Sequence, residues 1–86
     1  MQPEITIYGV DSCQVTARAR LHLDRRKIAY RYVNLDKDKH ALRKVVEWNR
    51  GKPITPTIVI SGNGRTRRLA GPSHEELDAV ISEQAA

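Results

Sequence analysis

A single cysteine, Cys13, stands where an apolar run ends and a run without Gly or Pro begins. Asp11 and Ser12 supply cap-type side chains just before it, which predicts that the thiol lies at the N-terminus of a helix. Unpaired backbone N–H groups and the positive end of the helix dipole favour negative charge there, so the pKa of such a thiol is lowered. Free cysteines also serve as small buried hydrophobic residues. Position alone leaves a reactive nucleophile and a core residue as alternatives.

Length and composition narrow the class of protein. The 86 residues fit one domain, 1–86, with a small core. One cysteine excludes an internal disulfide framework, and the three histidines are too dispersed for a metal cluster, so we expect no bound metal. Because no apolar run has the length of a membrane span and no signal-like segment opens the sequence, we expect a cytoplasmic monomer that does not contact membranes.

The chain is basic, with 15 Lys and Arg against 10 Asp and Glu and a formal charge of +5. Such a balance suits a nucleic acid, a small anionic thiol or an acidic protein surface. The basic residues are scattered and lack interleaved exposed aromatic residues. We therefore interpret them mainly as solvated faces and regard nucleic-acid binding as disfavoured.

Hydrophobic patterning predicts the element order β-α-β-α-β-β-α. The predicted strands are 4–10, 29–35, 57–60 and 66–70, and the predicted helices are 13–26, 39–49 and 73–83. The first helix joins two strands at the spacing of a βαβ unit, so these strands should be parallel. Turn residues at 61–64 predict an antiparallel hairpin between the last two strands.

Helix ends and faces are also predictable. Asp38 is the expected N-cap of the second helix and Gly51 its stop, while Ser73 and Glu76 form a capping box at the start of the third. The core-facing positions expected in the first helix are Val15, Ala19, His22 and Leu23, and those in the third are Leu77, Val80 and Ile81.

Two prolines precede the third strand, and the second of them, Pro56, belongs at its first residue or in the turn before it. A cis peptide is cheap only before proline, and it would leave the N–H and C=O of Thr55 free to bind an extended ligand. A trans bond that only ends a loop is the alternative. At Ser73, a helix N-terminus offers N–H donors to a carboxylate.

The element order, the motif from Cys13 to Thr16, Thr55–Pro56 and the segment 71–73 together resemble the glutaredoxins of the thioredoxin superfamily. The resemblance is closest to small bacterial glutaredoxin-like proteins that include mycoredoxins, and it runs from about Ile5 to Ile81. It implies an α/β thioredoxin-like fold, with a four-stranded mixed sheet flanked by helices.

The resemblance implies roles for individual residues. Cys13 matches the nucleophile, Ser12 and Gln14 are its neighbours in the motif, and Thr16 stands where dithiol members have a resolving cysteine. Pro56 matches the family's cis proline. The remaining positions implied to bind the thiol substrate are Thr55, Gly71, Ser73 and Lys52, with Arg50, Arg67 and Arg68 as further candidates to neutralise its carboxylates.

The implied function is that of a monothiol thiol–disulfide oxidoreductase acting on mixed disulfides between proteins and a low-molecular-weight thiol. No tightly bound cofactor is implied; glutathione is the default cosubstrate and mycothiol an alternative. The sequence lacks both C-x-x-C and C-G-F-S, so we expect neither an internal disulfide nor iron–sulfur ligation. Asp11 would oppose ionisation of the thiol if it lay nearby. The alternative function is a catalytically weak thioredoxin-fold adaptor that binds an acidic protein or nucleic acid.

Overall fold

Four strands form one mixed sheet in a computed structural model that describes residues 2–85. The strands are β1 (Glu4–Gly9), β2 (Arg31–Asn34), β3 (Thr57–Gly62) and β4 (Arg65–Ala70), and the helices are α1 (Gln14–Arg25), α2 (Lys39–Trp48) and α3 (His74–Ala85). The strand order across the sheet is β2-β1-β3-β4. As predicted, β1 and β2 are parallel, and β3 and β4 are antiparallel. The remaining pair, β1 and β3, is also antiparallel.

Alternation along β1 determines which helices cover each face of the sheet. Ile5 and Ile7 point to one face, where they pack with α1 and α3 in the main core. Tyr8 points to the other face, where it packs against a smaller cluster that includes Ala41 and Val45 of α2. The sheet therefore lies between two helical layers, with α2 alone on its second face.

The buried face of α1 differs from the predicted one. Thr16, Ala19 and Leu23 are buried, whereas Val15 is 47% exposed. These buried positions follow the i, i+3, i+7 spacing of one helical face, and Val15 lies about 100° around the helix from Thr16. His22 is half-buried and bonds Asp78 of α3 at 2.8 Å, so it lies between the two helices rather than in the core. The prediction followed apolarity and missed a buried threonine.

Two of the three predicted helix starts are confirmed. Asp38 accepts a hydrogen bond from the N–H of Ala41 at 2.9 Å, and Ser73 Oγ accepts one from the N–H of Glu76 at 3.1 Å. The prediction that Asp11 or Ser12 caps α1 is wrong, because the N-cap residue is Cys13. The first turn of α1 therefore begins at the thiol itself.

The β3–β4 hairpin is tighter than predicted. Its loop is Asn63–Gly64 alone, and both residues have positive φ, 52° and 73°, as a type I′ turn requires. β3 therefore extends to Gly62, and β4 begins at Arg65. The other boundaries shift by one or two residues, as is usual at element ends.

Gln84, which is 2% exposed, attaches the end of α3 to this hairpin. Its Nε2 donates to the carbonyls of Ile60 at 3.3 Å and Arg65 at 2.9 Å. Gln84→Leu leaves these acceptors without that donor, so we expect the free energy of unfolding to fall by about 1–3 kcal/mol in urea denaturation. The matched control Glu83→Gln loses only exposed ion pairs with Arg65 and Arg67 and should change it by less than about 0.5 kcal/mol. Equal losses in the two variants would contradict this role.

Candidate active site

Cys13 lies between the end of β1 and the first turn of α1. It is the N-cap residue of α1, has extended φ and ψ of −85° and 117°, and is half-buried. Its N–H donates to the carbonyl of Val10 and its own carbonyl accepts from the N–H of Ala17, each at 3.1 Å. These bonds hold the thiol at a helix N-terminus, which is the position expected from the sequence.

The loop before β3 brings a second segment to the thiol. The Thr55–Pro56 peptide bond is cis, the isomer that the family resemblance implies and that the local sequence left open. Cys13 Sγ contacts the carbonyl oxygen of Thr55 at 3.8 Å. A third segment joins here, because the N–H of Gly71 donates to the carbonyl of Pro56 at 2.8 Å. The last ladder pair of β1 and β3 ends at Thr57, so Thr55 lies just outside the sheet. Three segments far apart in sequence are thus linked in series, Cys13 to Thr55 and Pro56 to Gly71.

A pair of hydrogen bonds attaches this loop to the end of α2. Asn49 Nδ2 donates to Thr57 Oγ1 at 3.0 Å, and that hydroxyl donates to the carbonyl of Ile54 at 2.8 Å. Thr57 is 1% exposed, so the connection is shielded from water. The sequence predicts Asn49 and Thr57 only as the ends of a helix and a strand. The sequence feature that could have indicated these hydrogen bonds is the presence of polar residues on both sides of a proline-containing turn.

The environment of Cys13 lowers the pKa of its thiol to about 7. The largest cause is the hydroxyl of Thr16, followed by hydrogen bonding from Thr55 and the backbone N–H of Thr16, while burial acts weakly in the opposite direction. The contact from the neutral thiol to the Thr55 carbonyl favours the protonated form, but 3.8 Å is long for such a bond. Donors to the thiolate therefore dominate, and the thiolate population of Cys13 at neutral pH exceeds that of an ordinary cysteine.

Asp11 does not oppose this ionisation, a question that the sequence left open. Its carboxylate accepts hydrogen bonds from the hydroxyl of Tyr32 at 2.8 Å and from Asn34 Nδ2 at 3.2 Å. Both partners belong to β2, and Asp11 is not among the groups that shift the pKa of Cys13. Burial and the Asp11 carboxylate together raise the pKa of Tyr32 to about 12, and the guanidinium of Arg20 lies 3.8 Å from the centre of the Tyr32 ring. The Asp11 carboxylate therefore binds side chains of β2.

The other residues predicted to bind the thiol substrate lie at several places in the fold. Gly71 and Ser73 precede α3 beside the cis-proline loop, and Lys52 is exposed on the segment between α2 and β3. Arg67 pairs with Glu83 at 3.3 Å, near the far end of α3. Ten residues of helix separate Glu83 from Ser73, about 15 Å. Of the two remaining candidates, Arg50 is exposed after α2 and Arg68 lies over the ring of Trp48.

Residues 2–85 contain neither a candidate metal centre nor a helix that could span a membrane. Within this range no three His, Cys, Asp or Glu side chains are grouped so that they could hold a metal ion. No helix in the same range combines the length and the apolar character that crossing a membrane requires. His22 and His74 contact each other as stacked rings, with centres 4.2 Å apart. His22 also forms a hydrogen bond with Asp78.

Solved structures share this fold. The glutaredoxin grx-1 from Archaeoglobus fulgidus superposes with a TM-score of 0.74 and 24% identity, over 92% of this chain and 86% of its own. A reduced thioredoxin from Schistosoma mansoni superposes with a TM-score of 0.70 and 18% identity, over 96% of this chain and 79% of its own. Maleylacetoacetate isomerase from Anaeromyxobacter dehalogenans superposes with a TM-score of 0.63 and 20% identity, over 96% of this chain and 38% of its own. That structure was solved with bound dicarboxyethyl glutathione and citrate in its active site. The predicted thioredoxin-like fold is confirmed.

Sequence comparison gives the family. No curated protein sequence shows significant similarity to the chain. The family model described as Glutaredoxin matches residues 5–64, which is more than half of the chain and includes Cys13, Thr55 and Pro56. The chain therefore belongs to the glutaredoxin family, whose chemistry is thiol redox chemistry on a thioredoxin fold.

Proposed function

We propose that the chain is a monothiol oxidoreductase that reduces mixed disulfides between proteins and a low-molecular-weight thiol. One observation carries the proposal. The half-buried sulfur of Cys13 stands at the N-terminus of α1, 3.8 Å from the carbonyl of Thr55, with its pKa lowered to about 7. A thiol that ionises near neutral pH beside an open backbone edge is suited to attack a disulfide that lies along that edge.

The reaction has two exchange steps. The Cys13 thiolate attacks the small-thiol sulfur of the mixed disulfide; the S–S bond breaks, and the substrate protein's sulfur leaves as a thiolate that takes a proton from water. A second small thiol, as its thiolate, then attacks the small-thiol sulfur on Cys13 and releases the Cys13 thiolate. The net change is one mixed disulfide and one small thiol converted to one reduced protein and one small disulfide.

The monothiol character follows from the number of sulfurs. Cys13 is the only cysteine, and Thr16 occupies the position from which a second thiol would resolve the intermediate. No internal disulfide can therefore release the bound small thiol. The intermediate must wait for a second small thiol from solution, so its lifetime depends on the concentration of that thiol.

The small thiol is expected to be anionic. The N–H groups at the start of α3 and the exposed side chain of Lys52 would favour a carboxylate next to the slot formed by Thr55, Pro56 and Gly71. Glutathione carries such groups, and the A. dehalogenans isomerase of the same fold was solved with a glutathione derivative. Glutathione is the default cosubstrate and mycothiol the alternative; no tightly bound cofactor is needed. The reaction requires a reducing compartment such as the cytoplasm.

Alkylation against pH tests the proposal. Because the pKa of Cys13 is lowered, the thiolate fraction should rise as pH increases through about 7, and the rate of iodoacetamide alkylation should rise with the same midpoint. Asp11→Asn is the matched control and should leave this midpoint unchanged, since the Asp11 carboxylate bonds Tyr32 and Asn34.

The same protein is then tested for loss of glutathione, and separately of mycothiol, from a peptide that carries it as a mixed disulfide. Release that depends on added small thiol supports the proposal. A midpoint near the ordinary thiol value of about 8.5, with no release of either small thiol, would overturn the enzyme and favour the adaptor.

A further inference from the structure

Strand β4 forms one edge of the sheet and carries three arginines in four residues. Within residues 2–85 the strand order β2-β1-β3-β4 gives it β3 as its only neighbour. Every residue from Arg65 to Ala70 is exposed except Leu69. An edge with unpaired N–H and C=O groups can accept a further strand, and proteins commonly protect such edges with charged side chains. The charges on β4 therefore decide which chain this edge admits.

Two observations show which backbone groups of β4 point away from the sheet. The two-residue turn closes between Gly62 and Arg65, and the residues that flank such a turn are hydrogen-bonded to each other. Because bonded and non-bonded pairs alternate along antiparallel strands, every second residue of β4, counted from Arg65, bonds β3. The N–H of Gly71 donates to the carbonyl of Pro56 at 2.8 Å, as this alternation requires. The outward N–H and C=O groups are therefore those of Thr66, Arg68 and Ala70.

The positive charge along this edge is only partly neutralised. Arg65 and Arg67 share one acidic partner, Glu83 of α3, at 3.8 and 3.3 Å. Arg68 points to the opposite face of the sheet, where its guanidinium lies 5.2 Å from the centre of the Trp48 ring. It has no ion pair within residues 2–85. A strand added at this edge would therefore place side chains next to arginine on both faces of the sheet.

The same charges disfavour a second copy of this chain as the occupant. Pairing of two β4 edges would bring the arginines of one copy against those of the other, and like charges opposite each other in a sheet are destabilising. An extended segment rich in Asp and Glu is favoured instead, because opposite-charge pairs across strands are stabilising. Arg67 and Arg68 are consecutive and point to opposite faces, so the best complement has acidic residues at adjacent positions.

We propose that the open edge of β4 binds an acidic extended segment of a partner protein, which joins the sheet as a fifth strand. The outward backbone groups of β4 supply the hydrogen bonds, and its arginines select for negative charge. The edge ends at Ala70, next to Gly71, whose N–H bonds the cis-proline loop. The bound segment thus runs towards the loop that contacts Cys13. The inference goes beyond the proposed function, since this binding needs no reaction at the thiol.

Hydrogen exchange measured by NMR on the whole chain tests the added strand. The probe is the peptide Glu-Glu-Val-Thr-Glu-Glu-Val-Thr, and the control peptide has Gln in place of every Glu. The N–H groups of Arg68 and Ala70 face away from β3 and should exchange about tenfold more slowly when the acidic peptide is saturating. The N–H of Leu69 bonds β3 and should be protected with or without peptide. The Gln peptide should leave the outward groups unprotected.

Two variants of equal net charge separate this edge from general attraction to a basic protein. Arg68→Gln removes a charge from β4, whereas Arg18→Gln removes one from an exposed position of α1. In fluorescence anisotropy at about 0.15 M salt, Arg68→Gln should raise the dissociation constant of the labelled acidic peptide about two- to fivefold. Arg18→Gln should leave that constant within about 1.5-fold of the wild-type value, because distant charges are screened.

A third variant tests the backbone without changing the charge. Ala70→Pro removes one outward N–H and no bond to β3, a position where an edge strand tolerates proline. It should weaken binding of the acidic peptide about threefold or more, while the far-UV circular dichroism stays unchanged. If this variant does not fold, an acidic peptide that is N-methylated at alternate residues removes the same hydrogen bonds from the other side and should bind as weakly.

Slower exchange of the outward N–H groups, with weaker binding in Arg68→Gln and Ala70→Pro than in Arg18→Gln, supports the inference. Equal weakening by the two arginine variants would show that net charge alone attracts the peptide. Binding that leaves the outward N–H groups unprotected would place the peptide elsewhere on the molecule. No binding at about 1 mM peptide would show that the arginines only protect the edge. Each of these last three results overturns the inference and leaves the proposed function intact.

Discussion

Cys13→Ser is expected to abolish release of a small thiol from a protein mixed disulfide, with a fall in rate of about three orders of magnitude or more. The chain has no other cysteine, so no second sulfur can substitute for the nucleophile. A serine hydroxyl stays protonated near neutral pH and cannot form the disulfide intermediate on which the second step depends. The measurement is the initial rate of glutathione release from a glutathionylated peptide at pH 7, with excess glutathione present.

A matched control distinguishes loss of chemistry from loss of structure. Glu83→Gln changes an exposed residue near the end of α3, away from the thiol, and should retain the wild-type rate. The thermal midpoint of Cys13→Ser should stay close to that of wild type, because the sulfur is only half-buried and the change is small. Substantial activity in a folded Cys13→Ser protein would contradict the mechanism.

Local patterns were sufficient for most of the fold. The alternation of Ile5, Ile7 and Tyr8 predicted a strand, and the turn residues at 61–64 predicted the hairpin, which closes at Asn63–Gly64. The length of the connection through α1 implied parallel pairing of β1 with β2. These features depend on residues close in sequence, which is why a single sequence shows them. The cis bond before Pro56, in contrast, came from the family resemblance, because local chemistry allows either isomer.

The candidate site was harder to predict because its electrostatics depend on distant residues. The sequence left open whether Asp11 disturbs the thiol, because the answer depends on Tyr32 and Asn34, about twenty residues later, which bind its carboxylate. Thr16 was assigned to no buried face, since the prediction ranked positions by apolarity and chose Val15. Functional sites are where local rules of burial fail, and here the polar residue that breaks the pattern is the one beside Cys13.

Thr16→Cys is expected to change the reaction product of the chain with an excess of oxidised glutathione. Wild type should stop at a one-to-one mixed disulfide, because nothing within the chain can displace the bound thiol. In Thr16→Cys the new thiol replaces a 1% exposed side chain in the first turn of α1, at the spacing of C-x-x-C pairs whose disulfides form at helix N-termini. It should therefore attack Cys13, release glutathione and leave an internal disulfide.

Mass spectrometry of the intact protein distinguishes these products, since the adduct adds one glutathione and the internal disulfide only removes two hydrogens. Arg18→Cys is the matched control, because it adds a thiol at an exposed position of α1 two residues beyond Thr16, on a different side of the helix. That variant should keep the glutathione on Cys13. The displacement in Thr16→Cys is intramolecular, and the effective concentration of a thiol held so close is at least millimolar, so it should proceed even when free thiol is scarce. A Thr16→Cys protein that holds its adduct as long as wild type would show that position 16 does not reach the sulfur, and the assignment of Thr16 to the resolving position would be wrong.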